Sequence, residues 1–291
     1  MKKVLGLGDN VCDVYLHTGI MYPGGQALNF AVYAKQCGME ADYMGVHGDD
    51  AIAAHILKTL DTLGIGHSHS RQFPGENGFA RVTLEQGDRV FKGSNRGGVL
   101  QSHPITIEKD DEEYIASFAL VHTTNNGFTD ALLPKIASSG VPVSYDFSFR
   151  WNEEDRVMRV CPHITYAFVS CSGLDDGKTR ALCERLHREG AKTVTATRGS
   201  LGALVYDGVR FYTQMPDYVE PKDTMGAGDS FAAAMLTGLL QQKPMEEALA
   251  HAAAFSAKTC LTDGAFGYGI PVPQELHARI FDETEGIAVC G

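Results

Sequence analysis

The chain has 291 residues and a net charge of -11, with 44% hydrophobic and 21% charged residues. That balance belongs to a globular chain with a sizeable core, and the acidic excess excludes general nucleic-acid binding, which needs a basic face. It leaves an anionic small molecule open, because local backbone dipoles outweigh a distant net charge. Seven cysteines, at 12, 37, 161, 171, 183, 260 and 290, form no Cys-x-x-Cys pair, which predicts reduced, mostly buried thiols. The opening apolar run is short and Asp9 interrupts it, and no stretch approaches the ~20 apolar residues of a membrane span. The expectation is a cytoplasmic protein with no membrane and no nucleic-acid partner.

In chain order, Val4–Leu7 reads as a buried strand ending at Gly8, and Gln26–Cys37 as a helix stopped by Gly38. Asp42–Val46 reads as a strand. Asp49 or Asp50 then caps a helix in which Ile52, Ile56, Leu60 and Leu63 repeat at helical spacing until Gly64. Phe79–Leu84 and Arg89–Lys92 flank Glu-Gln-Gly-Asp and predict a β-hairpin with mixed faces, better suited to a lid than to a central sheet. Strand candidates follow at Phe118–His122, Val141–Tyr145, Tyr166–Val169, Thr193–Thr197 and Ala203–Tyr206, with a helix at Thr179–Arg188. Helices at Gly228–Leu240 and Met245–Leu261 close the pattern. Alternating strands and helices imply a largely parallel sheet with helices on both faces, one α/β domain with a small β extension.

Residues 223–229 read Asp-Thr-Met-Gly-Ala-Gly-Asp immediately before an apolar helix. Gly226, Ala227 and Gly228 let backbone approach a ligand closely, and free N–H groups at a helix start attract an anion. A carboxylate at Asp229 would repel a merely bound phosphate. It makes sense as a base that takes a proton from a hydroxyl while neighbouring amides hold the phosphoryl in transit. The bland alternative, a capping Asp after a glycine turn, does not account for seven residues in this order.

This string resembles the C-terminal signature of the ribokinase family, the PfkB-type carbohydrate kinases. The resemblance implies that Asp229 is the catalytic base, that the Gly226, Ala227 and Gly228 amides form an anion hole, and that Asp223 and Thr224 organise the phosphate region. Other stretches agree in order. Gly8-Asp-Asn-Val-Cys-Asp13 ends the first strand, where Asp9 and Asp13 can bind sugar hydroxyls; alone it is also a polar turn. Gly24-Gly25-Gln-Ala-Leu-Asn29 is similar to the family's Gly-Gly-x-x-x-Asn element, implying that Gly25 and Asn29 touch substrate. Thr197-Arg-Gly199-Ser-Leu-Gly202 is similar to its nucleotide loop, and His251 lies where the family lines the adenine. Together these span residues 4–273. They imply a three-layer α/β/α ribokinase-like fold, a single domain over 1–291, with lid segments near 11–23 and 76–100.

The chain departs from the family at Ser170-Cys-Ser-Gly173, where many members carry Asn-x-x-Glu, so the usual magnesium-organising water network is in question there, with Asp175 or Asp176 as candidate stand-ins. Asp146-Phe-Ser-Phe-Arg150-Trp151 resembles a looser element in which an Asp ends a strand, with Arg150 either facing an anion or stacked on Trp151. Gly8-Asp-Asn-x-x-Asp13, Tyr33, Asp88-Arg89-Val-Phe91 and Asp146-Phe-Ser148 together look like bacterial fructoselysine 6-kinases. That likeness implies a fructosamine substrate gripped by Asp13 and Asn29, with Asp9 and Arg96 as further contacts. The segment between Cys12 and Gly24 is short, which suits an open pocket and a substrate with an amino-acid tail. ATP and Mg2+ are implied, the metal held mainly by phosphates and water. A monovalent cation beside residues 220–265 occurs in some relatives, and the likeness is compatible with a homodimer through the lid. Another sugar or nucleoside as substrate, or a non-catalytic sensing role, are the alternatives. A dinucleotide-binding turn at Gly6-x-Gly8 is set aside, because its third glycine would fall at Val11. His67-Ser-His69 lacks a third metal ligand and reads as a solvated turn.

Overall fold

The computed structural model describes residues 2–85 and 88–281. The strands are β1 (Lys3–Gly8), β2 (Val11–Tyr15), β3 (Ile20–Gly24), β4 (Glu40–His47), β5 (Arg71–Gln72), β6 (Phe79–Glu85), β7 (Asp88–Ser94), β8 (Leu120–Thr124), β9 (Val143–Asp146), β10 (Tyr166–Ser170), β11 (Thr193–Thr197), β12 (Ala203–Tyr206), β13 (Phe211–Gln214) and β14 (Ile270–Pro271). The helices are α1 (Gln26–Gln36), α2 (Ala51–Leu63), α3 (Val99–Ser102), α4 (Lys109–Ala116), α5 (Leu133–Ser138), α6 (Glu154–Val160), α7 (Asp176–Arg188), α8 (Ala227–Leu240), α9 (Met245–Thr259) and α10 (His277–Phe281).

The large sheet runs β13-β12-β11-β10-β9-β8-β1-β4-β5. Its members from β11 to β5 pair in parallel, and only β12 and β13 turn antiparallel. The central strands are buried on both faces, and Leu120–Thr124 has no exposed residue. That is why they read as unbroken runs rather than alternations. Successive β1 side chains divide between two cores: Val4 joins the face under α1, α8 and α9, and Leu5 and Leu7 the face under α4 to α7. The result is the three-layer architecture expected from the sequence.

Two helices are buried nearly all round. Ala27–Ala34 of α1 and Asp229–Gly238 of α8 contain no exposed residue. Such helices need apolar residues on every side, and both segments supply them. A Cβ on Gly6 would lie 2.2 Å from the Ala27 carbonyl oxygen, so α1 crosses β1 against bare backbone. Gly6 therefore serves helix–sheet packing, not a dinucleotide turn. The α2 helix starts where Asp50 accepts from the Ala53 amide at 3.1 Å, and ends at Gly64 in the left-handed region.

A second sheet runs β14-β3-β2-β6-β7. It comes straight off β1, and β2 pairs with β6 in parallel and with β3 antiparallel. Asp13 is thus corrected from a turn residue to the middle of a strand, opposite Tyr22 and Ala80. The hairpin expected over 79–92 is β6 and β7; Gln86 and Gly87 at its tip lie outside the described residues, as does Cys290. The six described cysteines are unpaired, and four of them are buried. No described helix is long and apolar enough to cross a membrane.

Candidate active site

The parallel strands β1, β8, β9, β10 and β11 end on one edge, at Gly8, Thr124, Asp146, Ser170 and Thr197. In open α/β sheets this edge holds ligands. The first turns of α1 and α8 meet there.

The loop before α8 is folded by its own aspartate. Asp223 is fully buried, and its carboxylate accepts from the Met225 amide (2.9 Å), the Gly264 amide (2.8 Å) and the Tyr15 hydroxyl (2.5 Å). It shapes the loop from within, with its oxygens bonded to the chain rather than turned toward the cleft. Gly226 caps α8 at φ 73°, where a Cβ would lie 2.3 Å from the Tyr33 hydroxyl. Only glycine fits that turn. The Ala227 amide donates to Thr224 O at a long 3.3 Å. The amides of Gly226, Gly228 and Asp229 have no partner among the described residues. A Cβ on Gly228 would meet nothing within 4 Å, so there is room beside the helix start at that residue. A helix start with unpaired donors and room beside it fits an anionic group.

Asp229 follows directly. It is 9% exposed, and its Oδ2 accepts from Asn29 Nδ2 at 2.7 Å. Burial pushes its carboxyl up to about 6; Asp9 adds to the rise, and Asn29 and Arg89 oppose it. Asn29 Oδ1 is buried with no partner. Asp13 faces the same space, because a Cβ on Gly24 would lie 2.5 Å from Asp13 Oδ2 and 3.9 Å from Asn29 Oδ1. Burial, with the negative charges of Asp223, Asp229 and Asp9, raises Asp13 to about 7 against the pull of Arg89. Gly25, at φ 107°, lies so near Asp9 and Asn10 that a Cβ would come within 2.7 Å of their backbone. The space between Asp13 and Asn29 is therefore rich in acceptors, which suits a polyhydroxylated ligand.

Asp9 proves to be a helix staple. It accepts from the Gln26 amide (2.8 Å), the Ala27 amide (3.3 Å) and Thr124 Oγ1 (2.8 Å), so both oxygens are engaged at the start of α1. Asp146, at the end of β9, is buried, and its Oδ1 accepts from the Ser148 amide at 2.6 Å. Its carboxyl rises to about 7 through burial and then the charges of Asp229 and Asp9.

Thr197, at the end of β11, donates to Val169 O at 3.4 Å, and Gly199 opens a short turn at φ 58°. Gly202 serves that turn, where a Cβ would lie 2.0 Å from Gln214 O. His251 is half-buried on α9 beside Phe255, and burial lowers its pKa. Arg96 is exposed at φ 55°, with its backbone amide on Ser94 Oγ at 3.2 Å and no side-chain bond among the described residues.

Sequence reasoning quoted Arg89 only within the Asp88-Arg89-Val-Phe91 likeness and gave it no role at the site. This β7 residue reaches from the small sheet to Thr224, donating from Nη1 to the backbone O at 2.9 Å and to Oγ1 at 3.3 Å. Nothing local in the sequence links residues 135 apart. The stand-ins for the missing acidic element are committed elsewhere. Asp175 caps α7 through the Lys178 amide, and Asp176 pairs with Arg180 and Arg198. Arg150 faces an anion, the Glu153 carboxylate at 3.7 Å, and Trp151 donates to Ser170 O at 2.9 Å. Residues 67–69 form a partly exposed turn, as read from the sequence, and His69 within it is bound to Asp111 at 2.8 Å and stacked on Tyr114. Among the described residues, no group of three or more His, Cys, Asp or Glu side chains is placed to hold a metal alone.

Comparison with known proteins agrees with this geometry. Residues 4–271 match the pfkB family carbohydrate kinase pattern. The chain is 43% identical over 270 residues to the fructosamine kinase FrlD of Bacillus subtilis, covering 92% of this chain and 94% of that one. It is 31% identical to the fructoselysine 6-kinase of Escherichia coli K12, covering 91% of this chain and all of the other. Its fold matches Arabidopsis thaliana ribokinase, solved with ribose and ATP, at TM-score 0.77 and 19% identity, over 92% of this chain and 95% of that one.

Proposed function

The chain belongs to the pfkB family of carbohydrate kinases, and on that premise we propose that it transfers a phosphoryl group from ATP to a hydroxyl of a fructosamine, in particular the 6-hydroxyl of fructoselysine. The carrying observation is Asp229, a buried carboxylate beside unpaired helix-start amides and across from the acceptor groups of Asp13 and Asn29. Asp229 takes the proton of the attacking hydroxyl as its oxygen bonds to phosphorus and the bond to ADP breaks. The Gly226 and Gly228 amides hold the phosphoryl oxygens, and Ala227 continues the turn that aims them. Asp13 and the free Oδ1 of Asn29 accept from sugar hydroxyls, while Gly24 and Gly25 let backbone pass beside them. The small sheet, as a lid, excludes water.

ATP with magnesium supplies the phosphoryl group. The residues fit both: the amides of α8 take phosphate, and Asp146 would meet the metal through water. Thr197, Gly199 and His251 line the nucleotide side. An acceptor-rich pocket supports a donor-rich substrate, and a fructosamine adds a protonated amine to its hydroxyls. The test is ATP turnover across fructosamines, fructose, ribose and nucleosides. A preference for ribose or a nucleoside overturns the fructosamine assignment.

A further inference from the structure

We propose that Arg89 is a catalytic residue delivered by the small sheet: from its perch on Thr224, its guanidinium contacts the phosphoryl group in transit. This rests on the kinase reading above and adds a residue to it. The perch is a pair of bonds from one nitrogen, Nη1 to Thr224 O at 2.9 Å and to Thr224 Oγ1 at 3.3 Å. Thr224 lies two residues before Gly226, where the unpaired amides begin. A cation from β7 is therefore anchored on the loop that leads directly into the start of α8. A guanidinium carries five N–H donors in a planar fork that matches phosphate, so holding Thr224 leaves donors for a phosphoryl oxygen.

Charge balance gives Arg89 its task. Asp9, Asp13, Asp146 and Asp229 are buried near enough for their charges to act on one another, and Asp223 acts on Asp13 as well. Arg89 is the cation whose field acts on both Asp13 and Asp229. A donor phosphate entering among carboxylates gains partial positive charge from helix-start amides, and from the protein a full one through such a side chain. During transfer, the acceptor oxygen bonds to phosphorus, the bond to ADP breaks and the proton goes to Asp229. Arg89 neither gives nor takes a proton; it offsets negative charge on the moving group, as an arginine does in other phosphoryl transfers.

A surface strap would make the same bond to Thr224, so the test must separate contact from strapping. Arg89→Ala and Arg89→Lys are compared with wild type for turnover and, without sugar, for calorimetric binding of ADP and of a non-hydrolysable ATP analogue. The expected result for Arg89→Ala is a 100-fold or greater loss of kcat and at least fivefold weaker analogue binding, with ADP affinity within twofold of wild type. Arg89→Lys should recover part of the analogue affinity. The acid limb of the rate profile should also move to higher pH in Arg89→Ala, because Asp229 loses a positive neighbour while Asn29, Asp9, Asp13, Asp146 and Tyr33 remain. A kcat within threefold of wild type, or equal losses for ADP and analogue, overturns the proposal. A wild type idle on every fructosamine overturns the substrate reading alone, since the calorimetric arm still decides Arg89.

Discussion

The side-chain amide of Asn29 donates to the carboxylate of Asp229 at 2.7 Å, joining the first turns of two buried helices 200 residues apart. The bond orients the carboxylate and stabilises its charged form, while Asn29 Oδ1 stays buried and unpartnered. An orphan acceptor of this kind is costly unless a ligand supplies a donor. One residue thus connects the proposed base with the proposed sugar site.

Replacing Asp229 by Asn should lower kcat roughly 10³-fold, within the range for a lost general base, and leave ATP binding intact. In wild type the base must be ionised, so the rate should rise with pH through about 6 and then level. Steady-state kinetics from pH 5 to 9 checks both. Full activity in the Asn variant would remove Asp229 from its role.

Asn29→Leu tests the bond from the other side. Without the amide, the charged form of Asp229 loses a donor, so the midpoint of the acid limb should climb above its wild-type position. The KM for the sugar should also rise about tenfold or more, as a hydrogen bond to a substrate hydroxyl is lost. An unmoved limb would mean that the bond does not tune the base.

The large sheet was legible because its strands are buried on both faces and spell continuous apolar runs; β11 and β12 fall where the sequence places them. β2 and β3 were not, because Asp13, Tyr22-Pro23 and Gly24 give them the composition of a turn, and cross-strand pairing overrides that local preference. The short helices α5 and α6 owe their shape to packing of Ile136, Val157 and Val160 into the second core, which no local period announces. Within the site, the 223–229 string was legible as chemistry since glycines and a carboxylate have few other reasons to stand in that order. The employment of Asp9 at the start of α1, 17 residues away, and of Arg89 on Thr224 depends on tertiary placement alone.

Asp13→Asn and Asp146→Asn should stabilise the protein while abolishing or crippling turnover. Both carboxyls sit at about 7 in the folded chain, against 3.8 ordinarily. A raised carboxyl binds more protons folded than unfolded, so its ionised form opposes folding above pH 7 and that opposition fades as pH falls from 7 toward 4. The gain of each variant should therefore be on the order of 1 kcal/mol or more at pH 8, and shrink by pH 5. Urea unfolding at the two pH values measures it. A gain that grows on acidification would contradict the burial argument.

The two glycines flanking Ala227 should respond oppositely to alanine. At Gly226, with φ 73°, a Cβ would lie 2.3 Å from the Tyr33 hydroxyl, which is itself bonded to the Ala265 carbonyl. Backbone strain and overpacking together should cost about 2–3 kcal/mol, read as a lower urea midpoint. At Gly228 the helix is regular and a Cβ meets nothing within 4 Å, so alanine should stabilise α8 by roughly 0.5–1 kcal/mol. That same methyl would stand in the space where the unpaired amides hold phosphate. Gly228→Ala should accordingly fold better than wild type and weaken ATP-analogue binding more than tenfold. If it binds the analogue normally, the phosphate does not occupy the space beside Gly228, and the anion hole must be sought elsewhere.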